Sequence, residues 1–209
     1  MKKYLDKLKK KIYFNKNLFI FLLTLVLIGV ASGAIFSLLL KDSDKKLVSD
    51  YLNEFMLNIS NSKMQYKTYF FNNMIFTLGF SLIIWIFGIS IIGIILILPF
   101  LFIKSFTLGF SIGSILANFK LKGIIISLIY IVPHHVINIL IYILISAYAI
   151  MISYRMFQSM KDKKIFDFKI IMNKYTFILV FSLVMLFITC LYESFILPEI
   201  LKLVANLLK

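Results

Sequence analysis

Between Gly123 and Arg155 runs a stretch of 33 residues, GIIISLIYIVPHHVINILIYILISAYAIMISYR, that is apolar almost throughout and broken near its middle by Pro133, His134, His135 and Asn138. A helix of ~20 apolar residues at 1.5 Å rise already spans the hydrocarbon of a bilayer, so this stretch is long enough to cross. Two imidazoles and an amide beside a proline are costly against lipid. They are tolerated where other helices or water face them, which places this span inside a bundle.

The rest of the chain agrees with a membrane protein. Of 209 residues, 61% are hydrophobic, where soluble domains hold about half. The longest mainly polar interval, Lys41 to Asn73, has 33 residues, below the usual size of an independent domain. One embedded all-α domain is therefore expected. The net charge of +14 comes from lysines and one arginine that flank apolar runs, with Lys104 the exception. Charge in such places orients spans and attracts anionic lipid, and no nucleic-acid recognition motif accompanies it. Membrane lipid, not nucleic acid, is the expected partner. The single cysteine, Cys190, lies in an apolar run and has no internal partner for a disulfide.

Residues 1–17 carry seven lysines with Leu5, Leu8 and Ile12 at helical spacing, which suits a basic helix on the membrane surface or a solvated tail. The first apolar run, 18–40, continues past the small residues 31–34 as a span does and a cleaved signal peptide does not. Further spans are expected at 74–98, 100–117, 124–153 and 176–196, with Pro99 closing the second. Charge parity supports the count of five. A basic N-terminus inside puts Lys41 to Asn73, with five basic and four acidic residues, outside. The interval Tyr154 to Tyr175, with six basic residues against two acidic, then belongs inside only if 100–117 truly crosses. The N-terminus is thus expected to be cytoplasmic and the C-terminus extracytoplasmic.

Within the polar interval, Leu47, Val48, Tyr51, Leu52, Phe55, Met56 and Ile59 recur with helical period, marking an amphipathic helix over about 44–60. Its face, with Tyr51, Leu52, Phe55 and Ile59 at the centre, lies on the bilayer surface or docks on a partner or on the bundle. The GxxxG pairs Gly29/Gly33 and Gly109/Gly113 allow close helix approach, and such faces are compatible with a homo-oligomer.

The intramembrane polar set is Lys104, His134, His135, Asn138 and Glu193. Adjacent histidines on a helix point about 100° apart and chelate poorly, so no metal is expected. Capping of helix ends freed by Pro133 and hydrogen bonding between spans is the expected role; a transporter or channel using the histidines and Lys104 is the alternative. Lys104 is expected about one turn inside its span, able to snorkel, and Glu193 at the outer interface beside Tyr192. Neither GxSxG, HExxH nor a Walker loop occurs. No catalytic residue and no cofactor is expected.

With the spans placed, the chain resembles the stage II sporulation protein M family of small membrane proteins. The likeness is carried by LPFLFIKSFTLGFSIG (Leu98 to Gly113), by IVPHHVINILIYILISAYA (Ile131 to Ala149) with its Pro133-His134 pair, and by YESFILPEILK (Tyr192 to Lys202) with Glu193 and Pro198. His135 and Asn138 depart from the family's glutamate-bearing version of the fourth span. The resemblance implies a five-span protein of the septal membrane that scaffolds a peptidoglycan-degrading complex, with stage II sporulation proteins D and P as partners, during engulfment of the forespore.

Overall fold

The computed structural model describes residues 16–60, 65–162 and 168–207, which form helices joined by short turns, with no strand among the described residues. The expected surface helix at the N-terminus lies almost wholly outside them. The elements are α1 (Lys16–Leu38), α2 (Asp42–Ser60), α3 (Tyr66–Ile89), α4 (Gly93–Ile126), a π-helical turn (Ser127–Ile131), α5 (Val132–Asp162), α6 (Phe168–Leu191), a second π-helical turn (Tyr192–Ile196) and α7 (Leu197–Leu207). Four stretches are long and apolar enough to cross a membrane: Lys16–Leu38, Tyr66–Ile89, Gly93–Lys161 and Ile171–Leu203. The molecule is a multi-pass membrane protein.

The third of those stretches is 69 residues long, far more than one crossing needs. It folds back on itself at Lys120, whose φ of 51° and ψ of −126° break the helix. Gly123 then lies so close to the preceding turn that a Cβ there would stand 2.6 Å from the Ile115 carbonyl oxygen. The backbone reverses, and the chain returns through α5.

The second apolar run ends earlier than Pro99. The break falls at Ser90–Ile92, and Pro99 sits inside α4. Ser90 is extended, its N–H bonds the Phe87 carbonyl at 2.9 Å, and the Gly93 N–H bonds the Ser90 carbonyl at 3.1 Å. Any side chain at Gly93 would run into the Phe87 carbonyl, so glycine is what lets the chain turn this tightly. Ser153 of α5 closes the reversal by donating to the carbonyls of Ser90 and Ile91, at 2.6 and 3.1 Å. A proline near a helix start loses only one intrahelical bond, whereas orphan carbonyls in lipid need donors, and Ser153 supplies one here.

The centre of the bundle is α5. From Ile141 to Ser153 it is buried on nearly every face, with Tyr142, Ile143, Ile145 and Ala149 at 1% exposure or less, as an all-round apolar helix requires. Around it pack Leu22 and Val26 of α1, Ile84 of α3, Ile97 and Leu101 of α4, and Tyr175 and Leu186 of α6. Their outward faces carry exposed Phe, Ile and Leu side chains such as Phe21, Phe76, Ile103 and Phe177, suited to lipid.

The tightest pair is α1 with α4. The buried residues of α4 from Gly93 through Ile97, Leu101, Ser105 and Gly109 to Gly113 include an unbroken series four apart, and α1 meets it with Val26, Gly29, Gly33 and Ser37. A Cβ at Gly33 would strike the Phe106 carbonyl, and one at Gly109 would strike the Val30 carbonyl. Ridges four residues apart set into each other let the backbones touch.

At one end of the bundle the apolar face of α2 lies on a second core, where Ile59 is 3% exposed against Ile115, Ile126, Ile131 and Leu201. Ser49 of α2 donates to Asn118 of α4 at 2.7 Å. The same end holds α7, which begins at Leu197 with Pro198 and runs to Leu207.

Candidate functional site, a buried polar cluster beneath α2

Each π turn ends one residue before a helix residue followed by proline: Ser127–Ile131 precedes Val132-Pro133, and Tyr192–Ile196 precedes Leu197-Pro198. A proline inside a helix removes one backbone donor and its ring crowds the carbonyl four residues back. Widening the preceding turn to a π turn relieves that clash and shifts the facing of side chains. Both turns carry a member of the site, Tyr130 in the first and Glu193 in the second.

Glu193 is the centre. Its exposure is 7%, which corrects the expectation of a place at the outer interface: the π turn faces it into the bundle. The Tyr69 hydroxyl donates to Oε1 at 2.8 Å, the Asn73 amide donates to Oε2 at 2.7 Å, and His134 Nε2 stands 3.5 Å from Oε2. A carboxylate can be kept among apolar helices only with such partners. The Tyr69 and Tyr130 hydroxyls meet at 3.3 Å, and the ring of Tyr130 lies 6.0 Å from that of His134. The Thr77 hydroxyl donates to Asn73 Oδ1 at 3.2 Å, which turns the amide nitrogen toward Glu193.

His134 is 1% exposed and faces Glu193, while His135, whose ring centroid is 4.1 Å away, turns toward a cavity. Asn138 is buried and accepts a 2.6 Å bond from the Thr189 hydroxyl of α6. Among the described residues no group of three His, Cys, Asp or Glu is placed to hold a metal ion.

Lys104 differs from its expected place. Because α4 starts at Gly93, Lys104 lies eleven residues in, or about 16 Å along the helix, rather than about one turn from its start. Its ammonium stands 5.4 Å from the ring centroid of Phe80 and 5.9 Å from that of Tyr142, a cation–π arrangement. The Tyr142 hydroxyl in turn donates to the Thr77 carbonyl at 3.2 Å.

Sequence reasoning missed Tyr130 of the first π turn and three members on α3, Tyr69, Asn73 and Thr77. Those three stand four residues apart on one face of α3, and this period was present in the sequence, but the first two fell within the polar interval ahead of the expected span. Over the cluster lies a cavity of about 240 Å³ between α2 and the bundle, with Tyr51, Phe55, Tyr69, Tyr130, His135 and Glu193 on its walls. Of the amphipathic-face residues, Ile59 is buried, Leu52 and Phe55 are half-buried and Tyr51 is 71% exposed.

The family model for stage II sporulation protein M matches residues 19–198. The chain belongs to that family. No curated protein and no solved structure matches it. The match runs from α1 through the second π turn, so the α1–α4 seam, the two π turns and the whole Glu193 cluster lie inside the part that makes this chain a stage II sporulation protein M relative. Family membership makes it a sporulation-related membrane protein.

Proposed function

We propose that the protein is a non-enzymatic membrane scaffold that anchors a peptidoglycan-degrading complex at the septal membrane during engulfment. The observation that carries this reading is the family match over residues 19–198. Five crossings are proposed, made by α1, α3, the part of α4 before Lys120, the return segment through α5, and α6. Two ends of the bundle support that count. One end collects α2, the Lys120 reversal and the Tyr66–Glu199 hydrogen bond of 3.1 Å. The other holds the Ser90–Ile92 turn under Ser153 and the Tyr175 hydroxyl on the Trp85 carbonyl at 3.0 Å. Arg155, Lys161, Lys169 and Lys174 lie toward the second end, which the positive-inside tendency makes cytoplasmic. α2 and α7 then face the compartment that holds the wall, where stage II sporulation proteins D and P, the proposed partners, would be met.

The test has two parts. Single cysteines at Lys45 and at Lys161, in a chain whose own Cys190 is buried, should react with an impermeant maleimide from outside and only after permeabilisation, respectively. The tagged protein captured from sporulating cells in mild detergent should bring wall hydrolases with it. Labelling of both sites from outside would overturn the topology, and a clean preparation with no hydrolase would overturn the scaffold.

A second reading, a small transporter or channel, is favoured by one observation, the set of buried polar groups formed by His134, Asn138 and Glu193, with the Lys104 ammonium held near Phe80 and Tyr142. Proton or solute flux in proteoliposomes that disappears in His134→Ala and His135→Ala would support it; absence of flux would remove it.

A further inference from the structure

The cavity beneath α2 has a composition that neither reading uses. Its walls are mostly apolar, with Ile115, Ile126, Ile131 and Leu201 among them, yet a buried carboxylate, three phenols and an imidazole open onto it. Among the described residues no lysine or arginine lines it. Sites of this kind, an apolar pocket with a few converging polar groups, hold small ligands.

The polar groups sort by what they can still accept. Glu193 takes one donor on Oε1 and one on Oε2 from Tyr69 and Asn73, and a carboxylate oxygen has capacity for a second. When Tyr69 donates to Glu193, the Tyr130 hydroxyl donates to Tyr69 across their 3.3 Å contact, which leaves lone pairs on both phenol oxygens. The carboxylate and these oxygens are acceptors awaiting a donor. Beside them the rings of Phe55 and Tyr130 lie 5.7 Å apart, offering π faces that attract a cation. An anion meets a carboxylate there and, among the described residues, no fixed positive side chain on the wall. Other titratable groups near the site are His134 behind Glu193, His135 on the wall, Tyr51 on the roof, and Tyr142, Cys190 and Lys104 deeper in the bundle, all three within electrostatic reach of Glu193.

We propose that the cavity beneath α2 is a binding site for an organic ammonium ion that carries an apolar arm. The ammonium group bonds Glu193 and the Tyr69–Tyr130 pair, and the arm lies along the Ile and Leu wall under α2. An aminolipid head group or a soluble alkylamine would present the same chemistry.

The experiment uses the full chain in dodecyl maltoside micelles, titrated calorimetrically with hexylammonium, with hexanol and hexanoate as six-carbon probes. Hexylammonium should bind saturably at one per chain, and Glu193→Gln, which keeps size and shape, should weaken it by about tenfold or more, as loss of a charge-assisted bond does. If Glu193→Gln does not fold, Ser111→Trp is the second variant: it fills the cavity from an exposed position on the wall and should abolish saturable binding. Hexanoate binding as well as hexylammonium, or hexylammonium binding unchanged by whichever variant folds, overturns the proposal. Phosphatidylethanolamine added to the micelles distinguishes the sources. Competition with hexylammonium, absent with phosphatidylglycerol, assigns the site to an aminolipid; no competition assigns it to a soluble amine.

Discussion

At the residue scale the cluster around Glu193 is held by its donors, and their removal is the sharpest probe of it. Asn73→Leu takes away the 2.7 Å donor to Oε2 and leaves a buried carboxylate short of a partner, at a cost of about 1–3 kcal/mol. Thermal unfolding in detergent should show the loss. In the background of Glu193→Leu the same change should cost much less, because an apolar pair no longer has an acceptor to satisfy. Equal losses in both backgrounds would mean that Asn73 acts through packing alone. His134, Asn138 and Glu193 could be singled out in the sequence because polar residues in apolar runs are conspicuous, but what Glu193 bonds could not. Tyr69 and Asn73 belong to α3, yet in a hydropathy profile they blend into the polar interval before it, and the inward turn of Glu193 depends on a π turn that no local pattern announces.

Elements are positioned here by where the chain can bend and by where backbones can touch. The expected first span, 18–40, lies within two residues of α1 at each end, and 44–60 within two of α2, since amphipathic period and run length determine both. The second and third spans were misdivided because Pro99 is the stronger local breaker, whereas the actual turn depends on Gly93 beneath the Phe87 carbonyl and on Ser153 from a distant helix. The displaced boundary also explains the wrong depth for Lys104. Gly109→Ala should cost about 1–3 kcal/mol, the range for overpacking, because its Cβ meets the Val30 carbonyl, while Gly79→Ala, with nothing within 4 Å, should be neutral or slightly stabilising. Comparable losses at the two sites would show that close α1–α4 contact is not what stabilises the seam. At the other reversal, Lys120 is the one described non-glycine residue with positive φ. Lys120→Gly should raise stability by about 1 kcal/mol, the strain relieved less the added freedom of the unfolded chain; a drop in unfolding temperature would refute a strained turn.

For the whole molecule the question is what α2 is for, since its apolar face already has a partner in the bundle. Leu52 and Phe55 pack on the cluster of Ile59, Ile115, Ile126, Ile131 and Leu201, so a hydrolase that needs this face must displace α2 first, or else use the side chains that this packing leaves outward, such as Leu47 and Leu57. Leu52→Asp with Phe55→Asp separates the cases. Two carboxylates placed in an apolar contact should undock α2 while the spans, whose core around α5 is separate, keep their fold. Protease cleavage within α2 should then speed up at unchanged helix content. If partners dock on the outer side of a fixed α2, capture of hydrolases falls with α2 mobile and is lost equally in Leu47→Asp with Leu57→Asp, which leaves the packed face intact. If they dock on the released inner face, the outer-side pair has no effect. Full capture by both double mutants would remove α2 from the interface and leave α7, at the same end of the bundle, as the helix to test.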